Sequence, residues 1–353
     1  FVSGSGWAGG YIASRAATAL GRLGEAAEPA VPELAVLLRA VGREGDAAES
    51  SVRALGQLAK VVPAAADALA DAVAERSLTS LVVRKHAATS LGALGAAAAR
   101  HMGALVAALE DNSEEVRSKA VEALGNTGEA AAPALPRLVQ LMREDSVDDV
   151  RREAAKALGN IGAAAAGHIP DLVTALKRDQ DFGVRTAAAK ALGKFGAASG
   201  DAVPTLAEQL LAEEVVFLQI TIVQVIGQLG ELAGPAVASL AEILRNGKTA
   251  PLREVAATAL GELGASAEPA AECLGETALK ERGDVGEAAL RALVRIGAAA
   301  APAVGSFAAA LEGEDWSAQR RAAEALGRLG QIASPALPSL AEVQRRARDC
   351  PDA

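Results

Sequence analysis

Residues Glu114–Arg143 read EEVRSKAVEALGNTGEAAAPALPRLVQLMR, and this stretch decides the fold. Val116, Ala120, Ala123, Leu124 and Thr127 fall on one stripe of a helix, at the three- and four-residue steps of an amphipathic face. Gly128 follows, where a left-handed residue ends a helix. A short Ala-rich turn holds Pro133 and Pro136, and proline is tolerated in the first turn of a helix. A second helix therefore starts there, with Leu135, Leu138, Val139 and Met142 as its apolar stripe. Asp145 opens the turn into the next segment. The reading is two antiparallel helices joined by short turns.

The same pattern recurs along the chain. An aliphatic anchor, followed by Gly in nine cases, stands at Leu20, Leu55, Leu91, Leu124, Leu158, Leu192, Ile226, Leu260, Leu293 and Leu326. The gaps run from 33 to 36 residues. Helix pairs of this length cannot bury both apolar faces alone, and stacking them makes one extended core. The expectation is an all-α chain of about ten two-helix repeats, each of roughly 34 residues, forming a single continuous domain over 1–353. Ten stacked pairs would span on the order of 80–100 Å at ordinary helix spacing. The Gly after each anchor lies inside a helix, where it costs about 1 kcal/mol relative to Ala. Its recurrence predicts close approach of the neighbouring helix. Val294 breaks the series.

Composition agrees. Of 353 residues, 51% are apolar but only 2% aromatic. Ala fills the gap at about a quarter of the chain, which suits tightly packed helices. The apolar share argues against disorder. Two cysteines, Cys273 and Cys350, exclude a disulfide scaffold. A net charge of −9 and a pI near 5.1 argue against a general nucleic-acid partner. The longest uncharged stretches, Val215–Gly230 and Ile296–Leu311, are 16 residues each, short of a membrane span, so no membrane insertion is expected. Low cysteine usage points to an intracellular setting, cytoplasm or organelle.

Val-Arg, then Ala-Ala-x-Ala-Leu-Gly-x-Leu-Gly, then Pro-Ala-x-Pro-x-Leu resembles HEAT-like repeats, best in Val116–Met142, Val150–Leu176 and Val184–Leu210. The resemblance implies an α-α superhelix of HEAT-like solenoid type. The subtype is similar to the short repeats of phycobilin lyases and of bacterial and algal scaffolds. It also implies a hydrogen-bonded ladder between repeats, carried by Asp and Arg six residues apart. Asp111 and Arg117, Asp145 and Arg151, and Asp179 and Arg185 fit. Arg84 and Arg253 lack the Asp, and Gln219 replaces the Arg, so the ladder is expected in the middle of the array. Tetratricopeptide repeats share the period but need recurring Trp and Tyr, and Tyr11 is the one tyrosine.

No catalytic, cofactor or metal constellation emerges, and no enzyme or cofactor is expected. His86, His101 and His168 read as surface or turn histidines, the last two on the same repeat position and too far apart to share a metal. No His-Glu dipeptide of the iron-binding HEAT-like type occurs. Cys273 reads as a small buried hydrophobe and Cys350 as a free thiol in the tail. Gly4–Gly10 and Gly247-Lys248-Thr249 lack the remainder of a phosphate loop.

A binding face is legible instead. Positions two before and two after each anchor lie four apart on one outward face. They carry Arg22, Arg53, Lys156, Lys190, Lys194, Arg291, Arg295 and Arg328, against Glu122, Glu262 and Glu324, with the amides Asn126, Asn160 and Gln228 interleaved. The face is net +5 on an acidic chain. By resemblance it lines the concave side of a HEAT solenoid and suits an acidic protein segment. In the seventh repeat, Phe217 and Ile220 stand where other repeats place polar residues; they make an apolar docking patch or a thicker core. Trp316, in an inter-helix turn, and Trp7 are anchors at an interface or caps over an end. The last helix, near 335–348, reads as a polar cap, and the first repeat as lacking one, so that more chain or another subunit is expected to cover it.

The leading expectation is a non-enzymatic protein-protein interaction scaffold or adaptor, a peripheral subunit of a larger multi-subunit complex. The alternative is a bilin lyase or an assembly chaperone of a pigment-protein complex. A nuclear-transport-like carrier would need a longer array and an acidic inner face.

Overall fold

The computed structural model describes residues 8–39 and 45–349; Trp7 and Cys350 lie outside them. Every regular element among the described residues is helical. The chain divides into two compact units, residues 1–194 and 195–353.

The first unit contains α1 (Ala8–Arg22), α2 (Val31–Leu37), α3 (Gly45–Leu58), α4 (Pro63–Ala74), α5 (Leu81–Gly92), α6 (Met102–Ala108), α7 (Glu114–Asn126), α8 (Leu135–Glu144), α9 (Asp148–Ile161), α10 (Ile169–Arg178) and α11 (Phe182–Lys194). Odd-numbered helices carry the anchors and are called A helices; even-numbered ones are B helices. The second unit continues with α12 (Val203–Ala212), α13 (Val216–Gln228), α14 (Val237–Asn246), α15 (Ala250–Glu262), α16 (Ala271–Lys280), α17 (Asp284–Ile296), α18 (Ala301–Glu312), α19 (Trp316–Leu329) and α20 (Leu337–Asp349). The final helix starts at Leu337, because Pro335 belongs to the segment before it.

The link between A and B is more regular than the Ala-rich turn expected. In the fourth repeat, Gly128 at φ 63° leaves the α-helix, and Gly128–Ala134 then winds as a 3-10 helix. Three residues per turn place Ala131 and Ala134 on one inward line, and both are buried. Small residues, with proline in five of the segments, sustain this tight winding in every repeat but the second.

The close helix pairs also differ from the simple hairpin. A helices stack on A helices, as α7 on α9 and α9 on α11, and B helices stack on B helices. Each B helix packs along the A helix of the next repeat, as α8 against α9. Where a 3-10 segment joins them, the A and B helices of one repeat share few close backbone approaches, because it swings them apart; α3 and α4, joined without one, lie closer. The core is a layer of anchors between these rows. Leu91, Leu124, Leu158, Leu192, Leu260 and Leu293 are fully buried, as are Leu138 and Met142 on the B side. Burial of one such side chain stabilises by about 1.5–3 kcal/mol.

The helical glycines answer to spacing. A β-carbon at Gly125 would stand 2.9 Å from Ala157 Cα, and one at Gly261 would stand 2.9 Å from Ala292 Cα. Within each unit the residue before an anchor meets the Gly after the previous one, as Ala123 meets Gly92 and Ala191 meets Gly159, and only hydrogen on one side permits it. At Gly327, which no further A helix follows among the described residues, nothing lies within 4 Å.

A second device links successive repeats. Arg117 donates to the carboxylate of Asp145 through Nε and Nη2, both at 2.9 Å, and to the carbonyl of Asp111 at 2.9 Å. Arg151 does the same with Asp179 and the Asp145 carbonyl. Arg185 holds the carbonyls of Asp179 and Gln180. The carboxylate rung thus joins residues about 28 apart, while the residue six back offers its backbone carbonyl. The series extends beyond the expected middle: Arg84 forks onto Asp111, and Arg253 reaches Glu281 at 3.4 Å. Gln219 donates to the carbonyl of Leu210, and Gln319 to those of Leu311 and Gly313, and neither makes a carboxylate rung. Gly286 occupies the ladder position of α17 and makes no rung.

One stretch among the described residues, Asp284–Glu312, is long and apolar enough to cross a membrane by length and composition. It is α17 and α18, broken at Gly297 by a left-handed residue and a 3-10 turn.

Candidate interaction surface on the A helices

The stacking that demands Gly also builds a surface. In the first unit, the residue two after an anchor leans back over the Gly of the preceding repeat: Asn160 over Gly125, and Lys194 over Gly159. Asn160 accepts a hydrogen bond from Lys194 Nζ. Arg22, Arg53, Asn126, Lys156, Asn160, Lys190 and Lys194 are all exposed. Together they form a seam of amides and cations running across the A helices of that unit. In the second unit Gln228, Arg291, Arg295 and Arg328 are exposed at equivalent positions, and Glu262 leans over Gly227.

The face is laced with ion pairs that counting two rows leaves out. Arg53 pairs with Glu49, and Lys156 pairs with Glu153 at 2.7 Å. Arg328 binds Glu287 at 2.7 Å and Glu324 at 3.0 Å, and Arg291 lies 3.8 Å from Glu287. The hydrogen bond to Glu287 pushes the Arg328 guanidinium further above its ordinary value. Glu49, Glu153 and Glu287 sit one turn earlier on the same helices, outside the rows counted from sequence. Exposed pairs of this kind are worth at most about 1 kcal/mol each, so an incoming carboxylate can exchange with them.

The ladder groups lie on the loop side. Burial works most strongly against ionisation of Asp111, Asp145 and Asp179. The arginine fork and a backbone N–H two residues on outweigh it and hold each carboxyl below its ordinary range. These carboxylates are committed to structure.

The apolar candidates separate. Ile220 is half-buried, whereas Phe217 is 56% and Trp316 69% exposed. Trp316 opens α19 instead of lying in the turn before it. Cys273 is buried, and burial pushes its thiol up, as for a small apolar side chain. His101 is buried rather than on the surface, accepting from Arg100 Nε at 3.1 Å. His168 is half-buried beside Asp171 at 3.0 Å, and His86 bonds the Val82 carbonyl. No group of three or more metal-binding side chains occurs among the described residues. Sequence reading did not find Arg282, Arg320 and Arg321, which line one cleft with Trp316. The signal was the break in the repeat at Gly286 and Val294.

Comparisons with known proteins agree on architecture. The chain resembles Kap95p, solved with RanGDP, at a TM-score of 0.60 and 17% identity, over 91% of this chain and 48% of that one. It resembles a second structure of Kap95p, named there yeast importin-beta, at 0.55 and 15%, again over 91% and 48%. The E. coli protein YibA matches at 0.52 and 21%, over 79% of this chain and 94% of that one. The chain spans about half the length of the two karyopherin structures. At these identities the likeness is one of fold. No curated protein sequence matches. The family model described as HEAT repeats matches at residues 76–159, 135–227 and 169–261, together more than half of the chain. Stacked A and B helices, a Gly seam and an Arg-Asp ladder give that match its physical content, and the chain belongs to the HEAT-repeat family.

Proposed function

We propose that this chain is a protein-interaction scaffold, a subunit or adaptor of a larger assembly, and that the A-helix seam receives an acidic segment of its partner. The observation that carries the reading is the exposed run of Asn126, Lys156, Asn160, Lys190 and Lys194 across three successive A helices. Asn160 and Lys194 lean over the close-packed glycines Gly125 and Gly159, so cations and amide donors of successive helices stand side by side. The structural neighbours include Kap95p in complexes named for RanGDP and for Nup1, which is in keeping with a protein partner. The 34-residue step from Leu192 to Ile226 carries no insertion, and we treat the two units as one repeat array. We place the protein inside the cell on its two cysteines.

The test is affinity purification from native cells, with mass spectrometry of what co-elutes, repeated with Lys156→Glu, Lys190→Glu and Lys194→Glu combined. A stoichiometric partner that is lost from the triple variant and released at moderate salt supports the seam. A partner retained by the variant overturns it. Tetrapyrrole absorbance in the eluate would favour the lyase alternative.

A further inference from the structure

The ninth repeat lacks both devices, the helical Gly and the ladder arginine, and a cleft opens beside Gly286. Val294 replaces the helical Gly after its anchor, and Gly286 replaces the ladder arginine. A β-branched side chain in the seam holds the next A helix away. Accordingly α19 makes only a few close backbone approaches to α17, whereas α13–α15 and α15–α17 pack along their lengths. Val294 itself is 44% exposed. Gly286 offers no arginine to reach from α17 to the loop before α19. Arginine is not admissible at 286, because a β-carbon there would meet the Glu281 carbonyl oxygen at 2.3 Å. What remains is a cleft of about 590 Å³, within the range of small-ligand sites.

Its lining includes three arginines, Arg282, Arg320 and Arg321. Arg321 Nη1 donates to Ser317 Oγ at 3.0 Å, and Arg282 Nη2 donates to the same oxygen at 3.4 Å. Two guanidinium groups thus meet at one neutral hydroxyl. Arg320 lies over the Trp316 ring, 5.8 Å from its centre. None of the three forms an ion pair among the described residues, and the Nε of Arg321 is buried with no hydrogen-bond partner.

Carboxylates line the cleft too, but each is engaged. Glu281 faces Arg253, Glu287 and Glu324 bind Arg328, and Asp315 accepts from the Ser317 amide at 2.8 Å. Three of the carboxylates face arginines outside the trio and Asp315 caps α19, while none of the three arginines has an anionic partner among the described residues. Ser317 Oγ accepts from two cations, so its own proton is available to a third acceptor.

We propose that this cleft is a binding site for a phosphoryl dianion, held by Arg282, Arg321 and the Ser317 hydroxyl, with Arg320 on Trp316 as its outer wall. A donor set of two forks and a hydroxyl matches an acceptor of three oxygens and two charges better than a planar carboxylate. The proposal is independent of the A-helix seam. Free phosphate and a phosphorylated side chain of a partner present the same chemistry.

Fluorescence tests it on the full chain carrying Trp7→Phe, which leaves Trp316 as the single tryptophan. Inorganic phosphate is titrated at constant ionic strength, balanced with sodium chloride. A saturable change is expected, weakened about tenfold or more by Arg321→Gln or Arg282→Gln and measurably by Ser317→Ala. An unsaturated response equal to that of chloride overturns the site, as does unchanged affinity in Arg321→Gln. Thermal midpoints of the variants separate lost binding from lost folding. Because Ser317→Ala leaves both arginines in place, it keeps the test decisive if an arginine variant unfolds. A phosphoserine pentapeptide then distinguishes the source: tenfold tighter binding than inorganic phosphate indicates a phosphorylated partner, and equal binding indicates the free ion.

Discussion

Ala191 Cα stands 2.9 Å from the point a β-carbon on Gly159 would occupy. Neighbouring A helices approach until backbone meets backbone, and here the alanine before the anchor Leu192 is the surface they meet on. Gly159→Ala should therefore lower stability by about 1–3 kcal/mol through overpacking, although alanine is the better helix former. Gly327→Ala should raise it by up to about 1 kcal/mol, because nothing lies within 4 Å there. Urea midpoints of the two variants give the comparison. Equal and opposite signs to these would mean that helix spacing is not why glycine is kept.

The rungs differ in burial, and that sets their weight. The Asp145 side chain is 5% exposed and that of Arg117 is 15% exposed. Removing the carboxylate with Asp145→Ala leaves a buried guanidinium unpaired, at a cost of about 3–5 kcal/mol. Glu281 is 41% exposed and 3.4 Å from Arg253, so Glu281→Ala should cost about 1 kcal/mol or less. Chemical denaturation of both variants tests the ordering, and similar losses would contradict it.

The ladder also fixes how the first unit responds to acid. Asp111, Asp145 and Asp179 have carboxyl pKa values below the ordinary range when folded. Their contribution is complete above the unfolded value of about 3.9 and is lost as pH falls through the folded values, because the unfolded chain then binds more protons. Stability measured from pH 5 downward should fall with a slope that is shallower in Asp145→Asn. An unchanged slope would show that the rung does not titrate with unfolding.

Much of this was legible because the information is periodic. Ten recurrences of the anchor set the helix pairs, and the glycine beside Leu124 or Leu158 marks a close contact in the sequence itself. The A-helix rows were legible for the same reason, since i and i+4 fix a shared face. Three features were not. The 3-10 winding of Gly128–Ala134 leaves a three-residue pattern too short and too uniform in alanine to separate from a turn. The rung partner of Arg117 is Asp145 rather than the Asp111 carboxylate, because the choice between repeats depends on stacking, which no local spacing records. The cleft at Trp316 was visible only as two exceptions, Gly286 and Val294. An exception shows that packing changes and does not say what the change exposes.

His101 supplies a pH response nearer neutrality. It is buried at the end of the 3-10 helix Gly95–His101, against α4. Burial lowers its pKa most, the adjacent Arg100 adds to this, and Asp67 and Asp71 pull the other way without prevailing. Arg100 Nε donates to His101 Nε2, which requires that nitrogen to be unprotonated. Folded His101 thus stays neutral where the unfolded residue, with a value near 6.5, takes a proton. Between those two values the unfolded chain binds more protons, so stability falls as pH drops from above 6.5 through the folded pKa. His101→Gln keeps an acceptor for Arg100 and removes the titration, and it should flatten the urea midpoint between pH 7.5 and 5 while the ladder's loss below about pH 4 persists. A midpoint that declines as steeply in His101→Gln as in the parent chain would assign the neutral-range response to another group.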